Sequence, residues 1–102
     1  MELVDKVRHK LRVTYRDDEV DERIAEIMEQ ADLDLRSMLG ISDGSFDFND
    51  AGAERALYLA YCFYEWNDAL DDFEVNYAEK IAKCRDRWLA VEYAKETAST
   101  EL

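Results

Sequence analysis

Residues 51–66 read AGAERALYLAYCFYEW. Ala53, Ala56, Leu57, Ala60, Phe63 and Tyr64 recur at helical spacing and share one broad face. In the second half of the stretch, apolar side chains fill nearly the whole circumference. A helix that is apolar all round belongs inside a core. Residues 50–67 are therefore expected to form the central helix of an all-α fold, with the alanines admitting a close neighbour. Asn49 or Asp50 stands where an N-cap belongs.

Downstream, the joint YEWNDALDDFEVNY (residues 64–77) mixes large aromatics with carboxylates. Asp71 with Glu74 three residues later has the form of a capping box, and Leu70 with Val75 that of a hydrophobic staple. The joint reads as a helical hairpin whose carboxylates need no ligand. The following helix is expected over 72–95, carrying Phe73, Tyr77, Ile81, Cys84, Trp88 and Val91 as its apolar stripe. Residues 96–102 are expected to form a polar, mobile tail beyond a single domain, 1–95.

Upstream, Leu3, Val7 and Leu11 mark a short helix over 2–12, with Lys6, Arg8, Lys10 and Arg12 opposite. The acidic run DDEVDE (residues 17–22) fits the start of a second helix. Asp17 or Asp18 caps it, and the remaining carboxylates suit the positive end of its dipole. That helix is expected over 18–39, buried through Val20, Ile24, Ile27, Ala31, Leu35 and Met38. Gly40 follows as a left-handed C-cap, with Ile41 folding back. The fold expected is a small four-helix bundle with a loop at 41–49, in which Phe46 and Phe48 pin the loop to the core.

Composition narrows the function classes. The 102 residues carry a net charge of −12 with no proline and three glycines, which suits helices. Residues 1–16 hold five basic and two acidic side chains, and residues 17–74 hold three basic and eighteen acidic. Such a surface does not coat nucleic acid, whose phosphates demand compensating cations. No apolar run approaches the roughly 20 residues that span a bilayer. The opening residues lack a signal-peptide pattern, so synthesis in the cytoplasm, with Cys62 and Cys84 reduced, is expected.

Catalytic chemistry is not expected. His9 is the one histidine, on a short basic helix, with no Glu-x-x-His companion, and is expected to be solvent-facing or interfacial. There is no phosphate-binding glycine loop and no nucleophile elbow. The nearest approach to a metal site is DGSFDFNDAGAE (residues 43–54). There Asp43, Ser45, Asp47, Asn49 and Glu54 fall at positions 1, 3, 5, 7 and 12 of a calcium loop. Position 6 of such a loop requires glycine and here holds Phe48, so no metal and no cofactor is expected. Calcium titration against Trp66 and Trp88 fluorescence tests this directly.

Three stretches together resemble the head–tail connector (adaptor or head-completion) proteins of tailed bacteriophages. They are VRHKLRVTYRDDEVDERIAEIMEQADLDL, the third helix ending LAYCFYEWNDAL, and DDFEVNYAEKIAKCR. The likeness covers residues 3–90 and consists of packing patterns. It implies a structural subunit without enzymatic activity, at the head–tail junction of a virion or prophage particle. Such subunits form a ring, of about twelve copies, beneath the portal protein. The ring extends the DNA channel without sequence-specific binding and receives stopper or tail proteins.

On this reading, Arg8, Lys10, Arg12 or Arg16 of one copy is expected to meet Asp17, Asp18, Asp21 or Glu22 of the next. Surplus carboxylates would line the channel. Phe46, Phe48, Glu101 and Leu102, in the 41–50 loop and the tail, are the candidate contacts to other partners. A competing reading is a small acidic inhibitor that occupies a basic host protein one to one.

Overall fold

The computed structural model describes the backbone of residues 1–100 and side chains through residue 96. Every described element is helical: α1 (Leu3–Leu11), α2 (Asp18–Leu39), α3 (Ala53–Trp66), α4 (Leu70–Asn76) and α5 (Ala78–Thr100). α3 is the hub and packs against each of the other four helices. It buries Leu57, Tyr58, Ala60, Tyr61 and Cys62, as its all-round apolar sequence requires. Phe63, assigned to the core face by spacing, is instead 41% exposed.

α2 has the bounds its pattern dictates. Asp17 is its N-cap, and one carboxylate oxygen accepts the N–H groups of Glu19 and Val20. Ile24, Ile27, Ala31, Leu35 and Leu39 form the buried stripe. Gly40 closes the helix at φ +69°, a left-handed conformation that glycine adopts without steric cost. The Ile41 N–H then donates to the Arg36 carbonyl at 2.9 Å, and Ile41 itself is buried.

α1 ends without a glycine. Arg12 takes φ +61°, so that the N–H of Val13 reaches the Arg8 carbonyl at 3.0 Å. Placing a branched-out side chain in that region costs roughly 1 kcal/mol. The burial of Leu11 and Val13 on either side offsets it.

Two local expectations fail. α3 is not capped by Asn49 or Asp50. Its N-cap is Gly52, at φ +152°, with no side-chain cap. Asn49 is drawn away because its side-chain oxygen accepts from Lys6, while its carbonyl takes Arg55. A Cβ at Gly52 would stand 3.1 Å from the Glu54 carboxylate, so both backbone and space favour glycine there.

The hairpin joint also differs. The expected single helix over 72–95 is two helices, broken at Tyr77, and α5 continues to Thr100. α4 begins earlier than Asp71 permits for a cap. Its N-cap is Ala69, without a side-chain bond, and Val75 is 77% exposed, so neither capping box nor staple forms. The turn is set by Asp68 in the left-handed region and by the Ala69 N–H on the Tyr64 carbonyl at 2.8 Å. An aromatic cluster holds the break. Phe73 stacks on Tyr77 with ring centroids 5.3 Å apart, and Tyr64 packs edge-on against both. Phe73 is completely buried by this arrangement.

The 41–52 segment folds onto the bundle through its aromatics. Phe48 is 2% exposed and lies 4.9 Å from the Tyr58 ring. Phe46 meets Phe48 and Trp88 edge-on, each at 5.2 Å. Beneath them, Arg36 donates to the carbonyls of Asp43 and Phe46 and pairs with Asp32 at 2.7 Å.

Candidate interaction surfaces

The basic first helix supplies two kinds of cation. Arg8 is turned inward. Its guanidinium lies 2.6 Å from the Asp21 carboxylate and also donates to the Tyr15 carbonyl. Its side chain is only 8% exposed. This pair, expected between neighbouring copies, is thus made inside one chain. It ties the end of α1 and the 12–16 segment to the first turns of α2. Arg8 is committed there and is not available to a neighbour.

Lys10, Arg12 and Arg16 stay exposed. Lys10 stands 5.8 Å from the Phe63 ring centroid, a cation over an aromatic face. His9, Lys10, Arg12, Phe63 and Trp66 border a shallow cleft between α1 and the end of α3. Across it, Arg23 stacks 4.5 Å from the Trp66 ring and donates to the Trp66 carbonyl. His9 is exposed at this cleft.

A second basic surface flanks α3 on another side. Ala53, Ala56 and Leu57 of α3 and Tyr77 at the α4–α5 break floor a groove of about 300 Å³ rimmed by Lys80, Lys83 and Arg87. Their i, i+3, i+7 spacing puts the three cations on one face of α5, and the antiparallel packing of α3 and α5 turns that face to the groove. Arg87 bonds Glu54 at 3.3 Å and Lys83 bonds Glu79 at 3.1 Å.

One acidic surface lies on α2, and a second on the 68–74 joint, where Asp68, Asp71, Asp72 and Glu74 are exposed. Of the predicted interface acids, Asp18 and Glu22 are exposed, Asp17 is spent on its cap, and Asp21 is held by Arg8. Further along the outward face lie Glu26 and Glu29, both exposed. None of Glu22, Glu26 and Glu29 pairs with a cation among the described residues.

The residues of the calcium-like loop are occupied separately. Asp43 accepts the Ser45 N–H and hydroxyl at 2.9 and 2.6 Å, which holds its carboxyl below the ordinary carboxylate range. Asp47 accepts the Asn49 N–H at 2.8 Å. Glu54 turns to α5, where Cys84 and Arg87 donate to it. Burial works to raise the Glu54 pKa, but its hydrogen bonds and Arg87 leave it lowered overall. Among the described residues, no three acidic, histidine or cysteine side chains converge as a metal ion requires.

Of the candidate partner contacts, Phe48 is corrected. It is a core residue, because the loop aromatics face the bundle, and Phe46 is half-buried beside it. Glu101 and Leu102 lie outside the described residues. Cys62 is completely buried, and burial pushes its thiol up to about 12. Cys84 is likewise buried and raised to about 11, by burial first and then by Glu54. Neither environment favours a reactive thiolate.

These features define a small all-α domain with charged, spatially separated surfaces. No helix among the described residues is long and apolar enough to cross a membrane. Comparison with protein-family models, curated proteins and solved structures returned no match.

Proposed function

We propose that this chain is a structural subunit of a bacteriophage or prophage head–tail connector, assembling head-to-tail into a ring below the portal protein. The observation that carries the reading is the separation of charge on one packed domain. The outward face of α2 is acidic, while exposed cations stand on two flanks of α3. A surface that complements a different surface of the same molecule makes a heterologous contact, and such contacts close into rings when the rotation permits. The resemblance of its sequence patterns to those of connector proteins suggests the biological setting. In that setting the ring conducts DNA and its ends meet the portal and the stopper or tail proteins.

Within this reading, Lys10, Arg12 and Arg16 of one subunit face the acidic start of α2, at Asp18 and Glu22, in the next. The triple variant Lys10→Glu, Arg12→Glu, Arg16→Glu tests it by sedimentation at low salt. Assembly is expected to fall by at least roughly ten-fold, since several pairs turn repulsive together. The wild-type protein should show the same loss as salt rises through the Debye regime. Assembly that is unchanged by both would rule the contact out.

A further inference from the structure

We infer that the α3–α5 groove is the seat for the outer face of α2 from a second copy, with the two helices running parallel. The inference rests on the ring-subunit reading and specifies the contact that builds it. Along α5, Lys80, Arg87 and Val91 stand at i, i+7 and i+11. Along α2, Glu22, Glu29 and Leu33 stand at the same three intervals. On a helix these positions share one face and span about 16 Å. In register, Lys80 meets Glu22, Arg87 meets Glu29, and Val91 meets Leu33. Lys83 and Glu26 fall between, offset by one residue, a displacement that a flexible lysine stem takes up.

Two observations beyond charge support the match. Leu33 is 60% exposed and Val91 is 45% exposed, each at the same end of its stripe. Val91 belongs by periodicity to the buried face of its helix, yet the described residues leave it nearly half exposed. Second, the groove floor is built of Ala53 and Ala56, so a helix carrying only Ala25 between its glutamates can approach closely. Of the carboxylates already at the rim, Glu79 is an exchangeable partner, because Lys83–Glu79 is a largely exposed i,i+4 pair, whereas Glu54, 15% exposed, keeps its bond to Arg87 and leaves that guanidinium's other donors for Glu29.

A single molecule cannot satisfy the contact. α2 docks on the face of α3 that carries Tyr58 and Tyr61, with the Tyr58 hydroxyl on the Met28 carbonyl. The groove opens on the Ala53–Ala56 face instead. The parallel sense follows from α1. Arg87 lies beside Glu54 at the start of α3, and Tyr77 lies beside Tyr64 near its end. With Lys80 on Glu22, the neighbour's α2 start therefore points toward Lys10, which stands over Phe63.

Disulfide trapping tests this with the full chain. The double variant Leu33→Cys, Val91→Cys is oxidised and run under denaturing, non-reducing conditions, with each single variant as control. A ladder of covalent multimers is expected from the double variant and at most a dimer from either single one. A parallel charge swap reads the polar half of the contact. Lys80→Glu, Lys83→Glu, Arg87→Glu should weaken association at least roughly ten-fold. So should Glu22→Lys, Glu26→Lys, Glu29→Lys, and mixing the two variants should restore assembly.

A ladder with restoration supports the contact. If the ladder grows without a limiting size, the contact stands and the closed-ring reading fails. If wild-type rings form but neither ladder nor restoration is seen, the contact fails and the ring reading stands. If no multimer forms in any arm, both fail.

Discussion

The Arg8 guanidinium and the Asp21 carboxylate lie 2.6 Å apart, at 8% and 36% side-chain exposure. They join two helices whose sequences advertise opposite charge. A largely buried arginine with its carboxylate and a backbone carbonyl is satisfied, and breaking one side strands the other. Arg8→Ala is expected to cost about 3 kcal/mol in urea unfolding. Asp21→Ala should cost comparably, whereas Asp18→Ala, on exposed surface, should stay within about 0.5 kcal/mol. Equal small effects at all three positions would contradict the pairing.

Two acidic residues that look equivalent as helix caps should behave differently. Asp17 accepts two backbone N–H groups at the start of α2. Asp71 sits inside the first turn of α4, whose N-cap is Ala69. Asp17→Ala is predicted to lower stability by about 1 kcal/mol. Asp71→Ala should cost no more than about 0.5 kcal/mol, the size of a dipole contribution alone. Thermal unfolding of the pair side by side distinguishes the two roles.

Phe48 anchors the long connection between α2 and α3. Truncation to alanine removes a fully buried ring from beside Tyr58 and Phe46, and should cost about 3–5 kcal/mol by denaturant unfolding. Phe48→Leu keeps most of the volume and should recover more than half of that loss. A cost under about 1 kcal/mol for Phe48→Ala would place the ring outside the core.

The buried thiol of Cys62 gives stability a pH signature. Its pKa rises from an ordinary 9.0 to about 12, because burial penalises the thiolate. Between those values the folded chain keeps a proton that the unfolded chain has lost. Stability is therefore fully present below pH 9 and declines as pH rises, by about 1.4 kcal/mol per unit for one proton. Denaturant unfolding at pH 8, 9, 10 and 11 should show the decline. Cys62→Ala should be less stable at pH 8 and lose one proton's share of the slope. An identical slope in the variant would show that Cys62 ionises in the folded state.

Sequence periodicity carries the helices that bury a continuous stripe. The bounds of α2 were legible because cap and left-handed glycine agree with the stripe, although Leu39 is fully buried where Val20 and Met38, expected there, are only partly covered. The joint after α3 was not, because two locally good signals at Asp71 and Val75 lost to a tertiary one. The Tyr64–Phe73–Tyr77 cluster fixes where the chain turns. Asn49 was misread for a similar reason: its cap capacity is consumed by Lys6, which is 43 residues away. The charged surfaces were legible as composition but not as places. Whether Arg8 faces solvent, or the shared face of Lys80, Lys83 and Arg87 borders a groove, depends on which helices lie beside them.

The most direct test of the connector proposal is native mass spectrometry of the purified chain over a range of concentrations at low ionic strength. The account predicts a closed oligomer of one defined size, near about twelve copies, that dissociates as salt is raised. A protein that remains monomeric at every concentration, or stops at a symmetric dimer, would contradict it.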